Sequence, residues 1–175
     1  MSNRSGAPTI VETERLSVRE IVEDDAPFIV EILNTPSFIE YIGDRGVRSI
    51  DDARRFIDTR YRQSYRDHGY GLYTVELREN LVPIGMCGFV RRGTLPGPDV
   101  GFAFLPNYEG QGYGYESASA MMKYGRSSLG FDKVFAITSL DNEKSGRLLI
   151  KLGFNLENLI TMPDGEVLNL YSSVE

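Results

Sequence analysis

The chain has one cysteine, one histidine and no long apolar run, so it lacks the residues that several chemistries require. Cys87 stands alone, so no internal disulfide can form, and a reducing compartment is expected. It lies inside the apolar run IGMCGFV without a basic neighbour to lower its pKa, and reads as core packing, not as a nucleophile. The only histidine, His68, falls at the end of a predicted surface helix, which removes a Ser–His–Asp reading. Without a run of about 18 apolar residues, no membrane span is expected. The N-terminal MSNRSGAP has no apolar stretch of the signal-peptide kind, so the expected location is the cytoplasm. Positive charge is also scarce: 19 Lys and Arg face 25 Asp and Glu, a formal net charge of -6. A general nucleic-acid binder would show a basic footprint, so no nucleic-acid partner is expected. A negative field favours a cationic substrate such as an amine. Repeats, low-complexity tracts and linkers are absent as well. A chain of 175 residues, 41% of them hydrophobic, is expected to form a single domain over 1–175 with a sizeable core.

Within that domain the elements alternate. TIVETERLSVREI begins with β-branched residues and reads as a first strand, and EDDAPFIVEILN as a short helix with acids in its first turn. Ser49 can cap a second helix on which Ile50, Ala53, Ile57, Tyr61 and Tyr65 recur at helical spacing, with Gly69 as its terminator. YGLYTVEL, VPIGMCGFV and DVGFAFL are strand-like runs with separators short enough for hairpins. A helix follows with Ala118, Met122, Gly125 and Leu129 on one face and Gly130 at its end. KVFAITSL is then a strand, and DNEKSGRLLIKLGF a helix capped by Asp141 or Asn142 and stopped at Gly153–Phe154. GEVLNLYSS closes the chain as a last strand. The predicted class is α/β (α+β): a mixed, mostly antiparallel sheet of about six or seven strands flanked by about four helices, with one parallel pair late in the chain.

PNYEGQGYGYES raises the functional question, because Gly110, Gly112 and Gly114 stand directly before a helix. Glycine inside a regular element costs roughly 0.5–1 kcal/mol relative to alanine, so bare backbone must serve some need at this corner. Unpaired N–H groups at a helix start, together with a glycine-rich turn, make an anion-binding nest. No lysine follows these glycines, which excludes a P-loop. The GxGxG spacing, past mid-chain and after a hairpin, is a poor dinucleotide fingerprint. The diphosphate site of coenzyme A in N-acetyltransferases fits the context. A turn that is glycine-rich for structural reasons alone remains the other reading.

With these motifs in order the chain resembles the GNAT N-acetyltransferase superfamily and, within it, the RimJ/RimL-like branch that acetylates protein N-termini. TERLSVREIVEDDA is similar to that branch's TERL-x-hydrophobic-R strand, PNYEGQGYGYESA to its GxGYAxEA loop, and LDNEKSGRLLIKLGF to its NxxSxxxxxKxGF segment. The resemblance covers nearly the whole chain. It implies a splayed sheet, acetyl-CoA as cosubstrate, no metal, and an amine acceptor that is a protein N-terminus or a small molecule. It also implies that the diphosphate sits on the main chain of Gly110, Gln111, Gly112, Tyr113 and Gly114, with the pantetheine arm along Phe104 and Leu105. Asn142 and Ser145 would then lie near the thioester. Glu109 stands where the superfamily carries Arg or Gln, and its side chain is expected to turn to solvent. Leu149 stands where many members carry a tyrosine that protonates the departing thiolate, which leaves Ser145 or water for that step.

The implied reaction is direct attack of a neutral amine on the acetyl thioester, so positioning and main-chain donors carry most of the work. Asp99, which opens DVGFAF where related enzymes often carry Glu or Asp, is the first candidate base, and a hairpin-turn aspartate is its alternative. Glu116 is second, with a helix-dipole role as its alternative. Asn142 is read as a cap that also touches the cofactor. Phe38 and Tyr41 are candidates for an acceptor-pocket wall, with core packing as the alternative. A non-catalytic acyl-CoA-binding module and a phosphate-binding interaction domain are the competing functions.

Overall fold

The β-branched stretches become the strands of one eight-stranded sheet in the computed structural model, which describes residues 6–173. The sheet holds β1 (Thr9–Glu12), β2 (Leu16–Glu20), β3 (Leu72–Leu77), β4 (Pro83–Val90), β5 (Asp99–Phe104), β6 (Phe135–Ser139), β7 (Phe154–Thr161) and β8 (Val167–Ser173). Its order is β1-β2-β3-β4-β5-β6-β8-β7, and every pairing is antiparallel except β5 with β6. The late parallel pair is therefore where the strand–helix–strand passage put it.

Two strands exceed the six stretches named from the sequence, because TIVETERLSVREI is a hairpin and the residues after Gly153 form β7. The Thr13 amide donates to the Leu16 carbonyl, and the Thr13 hydroxyl accepts from the Leu16 amide, so side chain and main chain close the turn together. No glycine, proline or asparagine announces this reversal in sequence.

The helices are α1 (Ala26–Leu33), α2 (Pro36–Tyr41), α3 (Ile50–Phe56), α4 (Gln63–His68), α5 (Tyr113–Ser127) and α6 (Glu143–Lys151). A π-helical segment, Ile57–Arg62, joins α3 to α4 without a break. Ala53, Ile57, Tyr61 and Tyr65 recur every fourth residue, a period longer than the α-helical 3.6. The wider π turn compensates, and Ala53, Ile57 and Tyr61 all stay buried. Ser49 caps α3 in a reciprocal box with Asp52, and Gly69 ends α4 at a φ of 76°.

Alternation along the strands feeds two cores. Val18, Val75, Cys87, Phe89 and Leu149 form one with α5 and α6, while Met86 and Leu105 join α1 to α4 in the other. Arg19 carries a charge into the second side. Only 4% exposed, it binds both oxygens of Asp25 at 2.8 and 2.9 Å and Glu76 at 2.9 Å. Asp25 also accepts from the Val22 amide and the Thr74 hydroxyl, so this cluster ties the entry of α1 to β2 and β3.

Removing the cation would take a charged partner from two buried carboxylates. Arg19→Met is expected to lower the free energy of unfolding by about 3–5 kcal/mol in a urea titration. A loss below about 1 kcal/mol would show that the carboxylates find other partners.

Candidate active site

The parallel pair is barely a pair. β5 follows β4 from Val90↔Asp99 to Gly85↔Phe104, but meets β6 only at Asp99↔Phe135. Beyond that point β5 and β6 separate. Alternate residues of a strand point their main-chain groups to opposite neighbours. The Leu105 amide donates to the Ile84 carbonyl, so residues 101, 103 and 105 address β4. Phe102 and Phe104 therefore turn their N–H and C=O groups into the gap.

At the open end of the gap the chain passes through a 3-10 turn, Pro106–Tyr108, and the glycine stretch into α5. Gly110 and Gly112 have φ values of 71° and 84°, left-handed conformations that a side chain disfavours. Among the described residues, the main-chain N–H groups of residues 110–114 bond no acceptor, and Glu116 N–H is the first to return to Gly112 O. A run of unpaired donors at a helix start is the arrangement that an anion-binding nest requires. Gly114 is glycine for a different reason. It lies inside α5 with ordinary φ, and a Cβ there would meet Leu148 of α6 at 3.2 Å.

The predicted residues divide between this gap and the cores. Asn142 caps α6 by accepting the Ser145 amide at 3.3 Å, and the Ser145 hydroxyl bonds nothing among the described residues. Phe104 is half-buried, and its ring lies 3.8 Å from the position of a Gly114 Cβ. Leu105 is 7% exposed and packs among the α1–α4 residues, so its side chain faces away from α5 and α6. Phe38 is likewise in that core, which corrects the pocket-wall expectation in favour of its packing alternative. Tyr41 lies beside the end of β6 and the turn into α6. Its carbonyl accepts from the Ser139 hydroxyl at the end of β6, and Glu40 first, then Asp141 and Glu143, hold its phenol above the ordinary range. Leu149 is 1% exposed and packs in the α5–α6 core. Glu109 faces outward as expected, with Lys144 at 3.8 Å.

The carboxylates have settled partners. Asp99 is 2% exposed at the closed end of the gap, and both its oxygens lie 3.2 Å from Arg92 Nε. Burial pushes its pKa up to about 6, against the lowering effect of Arg92. Glu116 accepts the Thr13 hydroxyl at 2.6 Å, the Arg15 amide at 3.0 Å and Arg15 Nε at 2.7 Å. Burial would raise its pKa, but these bonds outweigh it and hold Glu116 below its ordinary range. An acid so well satisfied in its ionised form is a poor base, so Glu116 is an anchor for the turn between β1 and β2. Arg15, within the TERL stretch, carries no local sign of a role at this site. It arrives from 96 residues away to donate to the Gln111 carbonyl at 3.0 Å, within the glycine stretch.

The sequence profile described as Acetyltransferase (GNAT) domain matches residues 15–155. This chain belongs to that family. It is thereby an N-acetyltransferase, in keeping with a relative in Bacillus subtilis strain 168, the N-acetyltransferase YoaA. That relative is 31% identical over 157 residues, covering 86% of this chain and 85% of the relative. An acetyltransferase structure from Agrobacterium tumefaciens C58 shares the fold with a TM-score of 0.80 at 24% identity, over 96% and 95% of the two chains. The RimL ribosomal L7/L12 α-N-protein acetyltransferase, solved with coenzyme A, has a TM-score of 0.82 at 16% identity, over 95% of this chain and 98% of its own.

Asp99 gives the acetyltransferase a measurable pH dependence. A raised folded-state pKa means its contribution to stability is full below the unfolded value, near 3.8, and is lost as pH rises through about 6. The unfolding free energy of the parent, minus that of Asp99→Asn, should fall by about 2 kcal/mol from pH ~4.5 to ~7.5. A flat difference would show Asp99 titrating at its ordinary value.

Proposed function

We propose that the protein transfers the acetyl group of acetyl-CoA directly to a primary amine, either a protein N-terminus or a small molecule. The observation that carries this reading is the row of unpaired main-chain donors at residues 110–114, set at the open end of the gap between β5 and β6. Donors of this kind suit a diphosphate, and the gap suits an extended thioester arm that can pair with the free edge of Phe102 and Phe104. The coenzyme A bound by the RimL structure supports the same choice of cosubstrate.

Gly110, Gln111, Gly112, Tyr113 and Gly114 would hold the diphosphate, and the edge of β5 would orient the arm. The cosubstrate supplies a thioester carbonyl. The amine nitrogen forms a bond to that carbon, the C–S bond breaks, the amine gives up a proton and the thiolate accepts one. For the departing thiolate the chain offers the Ser145 hydroxyl, which has no bond of its own among the described residues and stands on the first turn of α6. Leu149 has no proton to give. For the amine proton Asp99 is ionised at neutral pH, and its place behind Arg92 requires that a water carry the proton to it. Tyr41, with Glu40, Asp141 and Glu143 near its phenol, would line the acceptor side, where negative charge favours an incoming cation.

Acetyl-CoA should raise the melting temperature where NAD and ATP do not, and thiol release from acetyl-CoA should require an added amine. Stabilisation by acetyl-CoA without release across a broad panel of amines and N-terminal peptides would favour the non-catalytic acyl-CoA-binding module. Gly112→Val should weaken acetyl-CoA binding by about tenfold or more while the protein stays folded, because a branched side chain disfavours a positive φ and would press on Arg15 behind the turn. Unchanged affinity would make the glycine structural only.

A further inference from the structure

Arg15 is the side chain most closely engaged with the glycine stretch, and the reaction outlined above gives it no part. Its Nη1 donates to Gln111 O at 3.0 Å, and its Nη2 lies 3.3 Å from the position a Cβ on Gly112 would take. Its guanidinium carbon stands 4.3 Å from the centre of the Tyr113 ring. Glu116 holds the same guanidinium through Nε, and also holds the Arg15 amide. The side chain is thus clamped from three directions although it is 42% exposed.

The peptide between Gln111 and Gly112 decides what this clamp does. A trans peptide is planar, and its C=O and N–H point to opposite sides. Gly112 is in the left-handed region, where glycine has little steric preference, so the neighbouring peptide plane is free to turn over. Fixing the Gln111 carbonyl on one side fixes the Gly112 N–H on the other, with the open donors of the cradle. A flipped peptide would present a carbonyl oxygen to an anion and remove a donor at once.

We infer that Arg15 is a positioning residue for diphosphate recognition: by holding the Gln111 carbonyl from behind, it sets the orientation of the Gly112 N–H that the cosubstrate's diphosphate uses. The inference rests on the acetyl-CoA reading above. The Arg15 fork, braced on Glu116, supplies two bonds in fixed relative geometry, which a lysine ammonium does not reproduce. Glu109, at the head of the stretch, turns outward toward Lys144, and the cation that serves the stretch comes from the turn between β1 and β2.

The test compares two acetyl donors that share the thioester arm and differ in the diphosphate: acetyl-CoA and S-acetylpantetheine. Arg15→Met keeps aliphatic cover over Tyr113, and Arg15→Lys keeps the charge. Both should raise the KM for acetyl-CoA about ten- to a hundredfold, the range for losing a hydrogen bond to a charged group. The maximal rate and the KM for S-acetylpantetheine should stay within about twofold of the parent. Melting temperatures within a few degrees of the parent would show that the fold is intact. An equal loss with both donors would make Arg15 a general brace and overturn the inference. Full recovery in Arg15→Lys would assign the effect to charge alone, and would also overturn it. If either variant fails to fold, Glu116→Gln, which weakens the clamp but keeps a hydrogen-bonding side chain, should give the same donor-selective loss at smaller size, and equal losses there would overturn it. A parent that turns over neither donor would remove the acetyl-CoA reading itself, an outcome distinct from a parent active with both whose variants match it.

Discussion

The site depends on one incomplete pairing. β5 is bonded along its whole length to β4 but touches β6 at a single register position, Asp99↔Phe135. A sheet interior normally leaves no main-chain group without a partner, since each unpaired group costs about 1–3 kcal/mol when buried. Here the unpaired edge lies in an open gap where solvent or a substrate can satisfy it. The helix that β5 feeds and the helix that β6 feeds flank this gap, and Gly114 against Leu148 sets how closely they approach. The fork also explains why Asp99 is buried. It occupies the last paired position, where the two strands still exclude water, and its charge is tolerated there through Arg92.

The glycine corner faces an opposite demand, since donors must stay unpaired and yet keep one orientation. Left-handed Gly110 and Gly112 allow the turn but do not stiffen it. Stiffness comes from outside, through Thr13, Arg15 and Glu116, which link the first hairpin to the first turn of α5. An exposed ion pair on its own contributes about 0–1 kcal/mol. This one has three hydrogen bonds to a single carboxylate and a ring contact, so its geometry is over-determined. The second cluster, Arg19 with Asp25 and Glu76, performs the matching task on the other side of the same strand. β2 thereby anchors the helical layer through one arginine, and the hairpin before it anchors the glycine corner through another.

What the sequence disclosed depended on how local the signal was. Ser49, Asn142, Gly69 and Gly153 act within a turn of their own position, and each does what its residue type suggested. The glycine turn before α5 was legible for the same reason, since turn, strand end and helix start are contiguous. The break between β1 and β2 was not legible, because a threonine side chain makes the turn and alternation runs through it undisturbed. Arg15 and Glu116 are 101 residues apart, and neither carries any local sign of the other. Phe38 and Tyr41 show the limit most plainly: three residues apart on one short helix, one is buried in the core and the other lies partly exposed beside the end of β6. Only the packing of α2 separates them.

A site built in this way places little of its proposed chemistry on side chains. The diphosphate is assigned to N–H groups, the arm to a strand edge, and the hydroxyl proposed for the departing thiolate belongs to Ser145. Main-chain donors survive most substitutions, provided that glycine stays where φ is positive and the strands still part at the same place. The demands on the sequence are then conformational: left-handed turns at Gly110 and Gly112, small size at Gly114, a cap at Asn142, and a clamp to stop a peptide from turning over. Residues that only meet a conformational demand can be replaced by others that meet it equally well. The proposed acceptor side has no such constraint, since Tyr41 and the carboxylates of Asp141 and Glu143 near its phenol would act there through side chains. On the proposed reading donor and acceptor would be free to vary independently in this architecture, the donor held by backbone and the acceptor chosen by side chains.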